Sequence, residues 1–333
     1  MAKGVSPPSG CEAGPMSTEQ STGTDEGRRR HYGVFYGIDP LPGADEPGAR
    51  PLLAVLGNCQ AESLRITTTT TADGTSPVDS VRVPPVHELE ASDIPHLHRL
   101  LPHLDVLAAQ PVRDDYRGLP LGTSQVRAHL RDDARLVALP VLRDPSAYPF
   151  QALVRGAAGD PPVVPYHDLR TLAQAAGLAG GPQTLAADEL AEAYRTIARD
   201  GVAELARRQS VSGTLRADDV VAETLGEGWT INHPGNTVLV ALGERLREAI
   251  GLPAAGADPG RVLLRSVRTP LREDVVEALD LPYEPRADWL VGEEVVADDE
   301  VRETQARWYA EHPEMVSAGV ERHGERMRLL GWR

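Results

Sequence analysis

Lysine is all but missing from this chain. Lys3 is the single one, so every other cationic task falls to arginine, the better residue for bidentate contacts to phosphate or carboxylate. Only two cysteines occur. Cys11 lies in a Pro/Gly/Ser-rich stretch, where a bridge to Cys59 would tether a floppy segment, so a disulfide framework is excluded and a reducing, cytoplasmic compartment is expected. Aromatic residues amount to 4%, which leaves the core to Leu, Val, Ala and Ile. No apolar run approaches the ~18 residues of a membrane span, and no apolar leader opens the chain, so a soluble protein without membrane insertion is expected. Net positive charge is lacking too: the formal charge is −15, which argues against nucleic acid or an anionic membrane as partner. Glycine-rich phosphate loops of the Walker or dinucleotide type are absent, which disfavours ATP and NAD.

What is present alternates. Leu52–Leu56 reads as a buried strand and Gln60–Thr67 as a short helix. Val81–Val86 follows as a strand, Ser92–Leu101 as a helix and Asp105–Ala109 as a strand. Thr123–Arg131 then reads as a helix and Arg135–Leu139 as a strand. This order predicts an α/β fold with a parallel sheet covered on both faces, and ligands in such sheets bind at the carboxyl ends of the strands. From Asp168 the pattern turns helical, with Asp188–Gln209, Asn236–Ile250, Asp274–Leu279, Asp298–His312 and Glu314–Leu330. The expected organisation is a disordered tail over residues 1–30, an α/β catalytic domain over 31–250 and a helical C-terminal extension over 251–333.

The chemistry centres on Gly57-Asn58-Cys59-Gln60. A thiol at a strand-to-helix junction faces backbone N–H groups and the positive end of a helix dipole, which favours thiolate and suits a nucleophile. The bland alternative is an inert, buried cysteine. The Asn58 and Gln60 amides could donate to an oxyanion. Among ten histidines, His233 is the best base, because Pro234 and Gly235 hold it at a loop-to-helix junction. Gln110 to Arg117 after the third strand is either a polar surface loop or part of the site rim, and Arg143 ends the loop after the fourth strand. His96, His98 and His103 lack convergent spacing, so no metal is expected. Tyr166-His167-Asp168 contributes to an acceptor pocket, or Asp168 merely caps the next helix. The Thr67–Thr71 run reads as a solvated loop or strand edge without chemistry.

Gly57-Asn58-Cys59-Gln60 after its strand, Gln110-Pro111-Val112 with Asp115-Tyr116-Arg117, and His233-Pro234 before a helix resemble, in order and spacing, the WcbI family. These are enzymes of capsular-polysaccharide biosynthesis regarded as coenzyme A-binding acetyltransferases. The layout is also similar to that of SGNH hydrolases, with Cys59 where the serine stands and a flavodoxin/SGNH-like sheet. That layout has an aspartate three residues before the histidine; here the position is Thr230, so a Cys–His dyad is expected. The resemblance implies acyl transfer from acetyl-coenzyme A to a saccharide or secondary-metabolite hydroxyl or amine, with Cys59 as nucleophile and His233 as base. Direct transfer with His233 alone as base is the second mechanism. Gln110, Arg113, Arg117 and Arg143 would then hold the cofactor, the arginines through its phosphates. A thioesterase or esterase of the same layout, or a non-catalytic coenzyme A-binding accessory protein, are the alternatives. The C-terminal helices would serve as a homo-oligomer surface, an acceptor lid or packing.

Overall fold

Leu52–Leu56, five consecutive aliphatic residues that are all buried, form strand β1 of the computed structural model, which describes residues 26–43 and 49–333. A run apolar on both faces belongs at the centre of a parallel sheet. Here β1 lies between β2 (Asp79–Val81) and β3 (Val106–Ala109), with β4 (Arg135–Ala138) outside β3, all parallel in the order β2-β1-β3-β4. That order reverses between β1 and β3, and the crevice at such a switch point is where α/β sheets bind ligands.

Strand alternation splits the sheet's side chains between two cores. Leu52, Ala54 and Leu56 pack with Phe35, Leu97, Leu100 and Val126 on one face. Leu53 and Val55 pack with Leu64, Leu205, Leu242 and Leu246 on the other. The first face is covered by α1 (Gly33–Tyr36), α3 (Ile94–Leu100) and α4 (Thr123–Arg127). The second is covered by α2 (Gln60–Thr69), α7 (Asp218–Glu223) and α8 (Asn236–Ala249). Beyond the sheet, the pair β5 (Gln151–Ala152) and β6 (His167–Asp168) packs with α5 (Leu169–Ala175) and α6 (Ala187–Ser212). α9 (Glu273–Leu279), α10 (Asp298–Glu311) and α11 (Pro313–Leu329) complete that part.

Four expectations need correction. Residues 1–25, Cys11 among them, lie outside the described residues, but residues 26–30 of the expected tail are helical, anchored by Arg28 on the buried Asp93 at 3.1 Å. The second strand is Asp79–Val81 rather than Val81–Val86, because the register against Leu52–Ala54 ends there. The C-terminal part is not only helical: β7 (Val267–Arg268), β8 (Trp289–Val291) and β9 (Glu294–Val296) form an antiparallel sheet. Finally, Thr67–Thr69 belong to α2, with Thr67 and Thr68 fully buried.

The threonine run is where α2 docks on α8. Thr67 Oγ1 donates to the Leu239 carbonyl at 2.9 Å, and the buried Arg247 donates to the Thr68 carbonyl at 2.7 Å and to that of Thr70. At Gly243 a Cβ would stand 2.8 Å from Thr67 Oγ1 and 2.9 Å from its carbonyl carbon, so only glycine admits this approach. The contacts advance together along both helices, which therefore run in the same direction. Their N-terminal ends, at Cys59 and at His233-Pro234-Gly235, emerge side by side.

Candidate active site

Two glutamines tie the strand ends together. Gln110, just after β3, accepts from Asn58 N–H at 2.9 Å and donates to Gln60 Oε1 and to the Pro140 carbonyl, both at 2.9 Å. Gln60 passes the link on, donating to the carbonyls of Leu142 and Asn232 at 2.8 Å each and accepting from Leu142 N–H at 3.1 Å. The loops after β1, β3 and β4 and the loop carrying His233 are thus bonded through two side chains that are 0% and 2% exposed. Gly57 is needed beneath them, since a Cβ there would lie 2.5 Å from Gln110 Oε1. Both N–H groups of the Gln60 amide are consumed by this link, so Gln60 stands behind the site and does not face an oxyanion. Gln110 likewise holds the frame rather than a ligand.

In front of that frame, Cys59 Sγ lies 3.6 Å from His233 Nε2. Cys59 is half-buried at the start of α2. Asn58 turns its Oδ1 to the Gln60 N–H at 2.9 Å, while its amide NH₂ makes no hydrogen bond among the described residues. His233 is held in a turn by backbone bonds to Thr230 and Trp229, and it is 8% exposed. The Tyr166 ring stands perpendicular to the imidazole, with centroids 6.3 Å apart. The Tyr166 hydroxyl meets Asn232 Oδ1 at 2.8 Å and Thr230 Oγ1 at 3.0 Å.

Burial decides the protonation of the pair. It pushes the Cys59 thiol up to about 11, against the smaller opposing pull of the Cys59 and Gln60 backbone N–H groups, with Glu88 adding to the rise. It pushes His233 down to about 4. The expected thiolate is therefore corrected: at neutral pH the pair is a thiol facing a neutral imidazole, because lost hydration outweighs the helix end. His233 Nδ1 is buried without a hydrogen-bond partner among the described residues, the Leu264 carbonyl nearby falling short of bonding geometry. Thr230 bonds Tyr166 and Asn232 instead. Among the described residues no carboxylate orients the ring, and the arrangement is a dyad.

The predicted arginines part company. Arg117 donates to the His87 carbonyl, next to Glu88, while Arg113 is exposed with no hydrogen bond or ion pair among the described residues. Arg143 lies on the β4 side, directly after Leu142, with its charge opposed by burial and by Arg155, Arg208 and Arg322. It lines a cavity of about 430 Å³ in which Arg143, Arg208, Arg322 and Arg326 are interspersed with Asp144, Asp200, Glu204 and Glu325 over an apolar floor that includes Leu153 and Ile197. Of these arginines, Arg208 pairs with Glu204 at 3.7 Å, while Arg143 and Arg322 make no ion pair among the described residues. Sequence reasoning missed Arg208 and Arg322, which sit on α6 and α11 within no local motif. Asp168 takes the capping role: it accepts from Arg170 and Thr171 N–H and pairs with Arg170, and Tyr166 is the member of its trio that reaches the site. No group of three or more His, Cys, Asp or Glu suited to a metal occurs among the described residues. No helix there is long and apolar enough to cross a membrane.

A sequence profile of the family described as polysaccharide biosynthesis enzyme WcbI matches residues 52–255. The match spans more than half of the chain, and the chain belongs to that family. Among solved structures, it is similar to one described as WcbI, a novel polysaccharide biosynthesis enzyme, in its native form without a disulfide bond between coenzyme A and one of its cysteines. The TM-score is 0.69 over 84% of this chain and 97% of the other, at 19% identity, a likeness of fold. No curated protein matches the chain.

Proposed function

We propose that this member of the WcbI family is an acyltransferase that moves an acetyl or related acyl group from a coenzyme A thioester to a saccharide hydroxyl or amine. The observation that carries the reading is the 3.6 Å approach of Cys59 Sγ to His233 Nε2 at the switch point of the sheet. A neutral imidazole beside a neutral thiol is the starting state for general-base attack. As sulfur adds to the thioester carbonyl, its proton passes to His233 Nε2. The oxyanion is met by the unpartnered Asn58 amide and the Cys59 N–H, the neighbouring Gln60 and Ala61 N–H groups being bonded to Asn58. Collapse expels the coenzyme A thiolate, which takes the proton from His233. The acceptor hydroxyl then gives its proton to the same nitrogen while attacking the Cys59 thioester, and the proton returns to sulfur as the product ester leaves.

Two arginines without an ion pair among the described residues, Arg143 and Arg322, support a place for coenzyme A. Arg143, Arg208 and Arg322 supply guanidinium groups for its phosphates, next to the Leu142 backbone that Gln60 holds. The WcbI structure whose description names coenzyme A shares this fold, and the family's description names polysaccharide biosynthesis, which supports a saccharide acceptor.

The test is peptide mass spectrometry after mixing the protein with acetyl-coenzyme A and no acceptor. An acetyl group on the Cys59 peptide, absent in Cys59→Ala, is the expected result. Turnover with an acceptor in Cys59→Ala at the wild-type rate would remove the cysteine from the mechanism.

A further inference from the structure

A second cavity, of about 580 Å³, opens between β5–β6 and the C-terminal part of the chain. It differs from the cavity at Arg143 in its aromatic wall of Tyr148, Phe150 and Trp289 and in the closer pairing of its charges. Arg170, Arg272 and Arg286 face Asp168, Glu273, Asp274 and Asp298, so cations and anions nearly balance. Most are already paired: Arg170 with Asp168 at 2.6 Å and with Asp298 at 2.8 Å, and Arg272 with Asp274 at 2.8 Å. Phe150 is held between Arg170 and Arg272, 5.5 and 5.2 Å from its ring centroid, and Trp289 Nε1 donates to Asp298 Oδ1 at 3.0 Å. The wall is thus a rigid alternation of carboxylate and guanidinium edges with no surplus positive charge for a phosphate.

Two lining residues also carry buried N–H groups without a partner among the described residues. They are Nε2 of Gln151, which is 4% exposed, and Nε of Arg286. Both nitrogens are closed to solvent and stand behind the cavity wall, so the groups offered to a ligand are the carboxylate and guanidinium edges in front of them. The cavity also adjoins the candidate active site. Gln151 Oε1 accepts from Ile231 N–H at 2.7 Å, two residues before His233. Trp289 stacks on Tyr166 at 6.2 Å, and Tyr166 in turn meets His233 and Asn232.

We infer that this cavity is a saccharide subsite, which takes a neutral, polyhydroxylated unit of the acceptor next to the unit that is acylated. Paired carboxylate and guanidinium edges match the vicinal hydroxyls of a sugar, each of which donates and accepts, and a phosphate would add negative charge to a lining with one more carboxylate than guanidinium. The inference rests on the acyltransferase reading for the word acceptor, but the binding itself does not.

The test uses the full chain, saturation-transfer NMR, and a panel of neutral disaccharides of glucose, galactose and mannose, with glucose 6-phosphate as the charged probe. Ala287 is an exposed residue on the lining, and Ala287→Trp would fill the cavity without touching the core. Saturable binding of at least one disaccharide to the wild type and to Cys59→Ala is expected, with a loss of tenfold or more in Ala287→Trp and none gained by the phosphate. Thermal melting checks that the variant is folded. No binding across the panel, undiminished binding in Ala287→Trp, or preference for glucose 6-phosphate would overturn the inference. Acetyl labelling of Cys59 is read separately, so a failure of the thiol chemistry with sugar binding intact removes the acceptor role and leaves the subsite.

Discussion

A thiol at the start of a helix ordinarily releases its proton more readily, yet Cys59 keeps its own. The N–H groups of Cys59 and Gln60 pull toward thiolate, but the lost hydration of a sulfur enclosed by the 57–60 turn, Tyr166 and His233 is the larger effect. With His233 pushed down to about 4 by the same enclosure, neither partner is charged at neutral pH. A prediction follows for alkylation by iodoacetamide in a Cys11→Ser background. The rate at Cys59 should climb through pH 9 and 10 toward a midpoint near 11, and His233→Ala should leave that midpoint within about one unit. A plateau below pH 7 that vanishes in His233→Ala would instead reveal a standing thiolate–imidazolium pair. The location of both residues was legible in the sequence, since a strand running into Gly57-Asn58-Cys59 and a histidine before Pro234 are local patterns. Their protonation was not, because burial is a property of the assembled chain.

At the scale of elements, the distance between sulfur and imidazole is fixed by how α2 lies on α8. The Thr67–Leu239 bond, the Arg247 bonds to the end of α2 and the bare backbone of Gly243 set that spacing far from the chemistry. Gly243→Ala should therefore act at both ends. Overpacking of this kind costs about 1–3 kcal/mol, and a shift of α8 moves His233 away from Cys59, where a displacement of about 1 Å can cost about 100-fold in rate. Denaturant unfolding and acyl-transfer rate measured on one preparation should both fall. Gly324→Ala in α11, with nothing within 4 Å of the added carbon, is the control and should hold or gain stability. A Gly243→Ala variant with wild-type stability and rate would contradict this account. Helical periodicity sufficed to place α2, α6, α8, α10 and α11 within a few residues. The threonine run misled because β-branched polar residues are poor evidence for a buried helix. Only the opposing glycine and arginine, some 180 residues on, make it one.

Across the whole molecule, two buried histidines and one half-buried one share one electrostatic fate. His167, His233 and His323 are all pushed to about 4, in each case chiefly by burial. The unfolded chain binds protons on these rings below pH 6.5 while the folded chain does not, so their stabilisation is complete above pH 6.5 and is lost as pH falls toward 4. For the well-buried His167 and His233 the shift amounts to roughly 3 kcal/mol each. The melting temperature should drop steeply between pH 6.5 and 4, and His167→Gln should flatten that slope. A melting temperature constant over this range would contradict it. The same scale limits what the sequence disclosed. β7, β8 and β9 are two or three residues long, too short for any periodicity to register. The arginines that gather with Arg143 come from segments up to 179 residues away, and only the folded chain brings Arg322 to it.

The central claim is that Cys59 takes the acyl group with His233 as its base. Pre-steady-state release of free coenzyme A, followed by rapid quench and mass readout after mixing acetyl-coenzyme A with stoichiometric protein and no acceptor, tests it most directly. The account predicts a burst approaching one equivalent per chain in the wild type, none in Cys59→Ala and a burst slowed at least about 100-fold in His233→Ala. Equal bursts in all three, or none in the wild type while acceptor turnover proceeds, would contradict it.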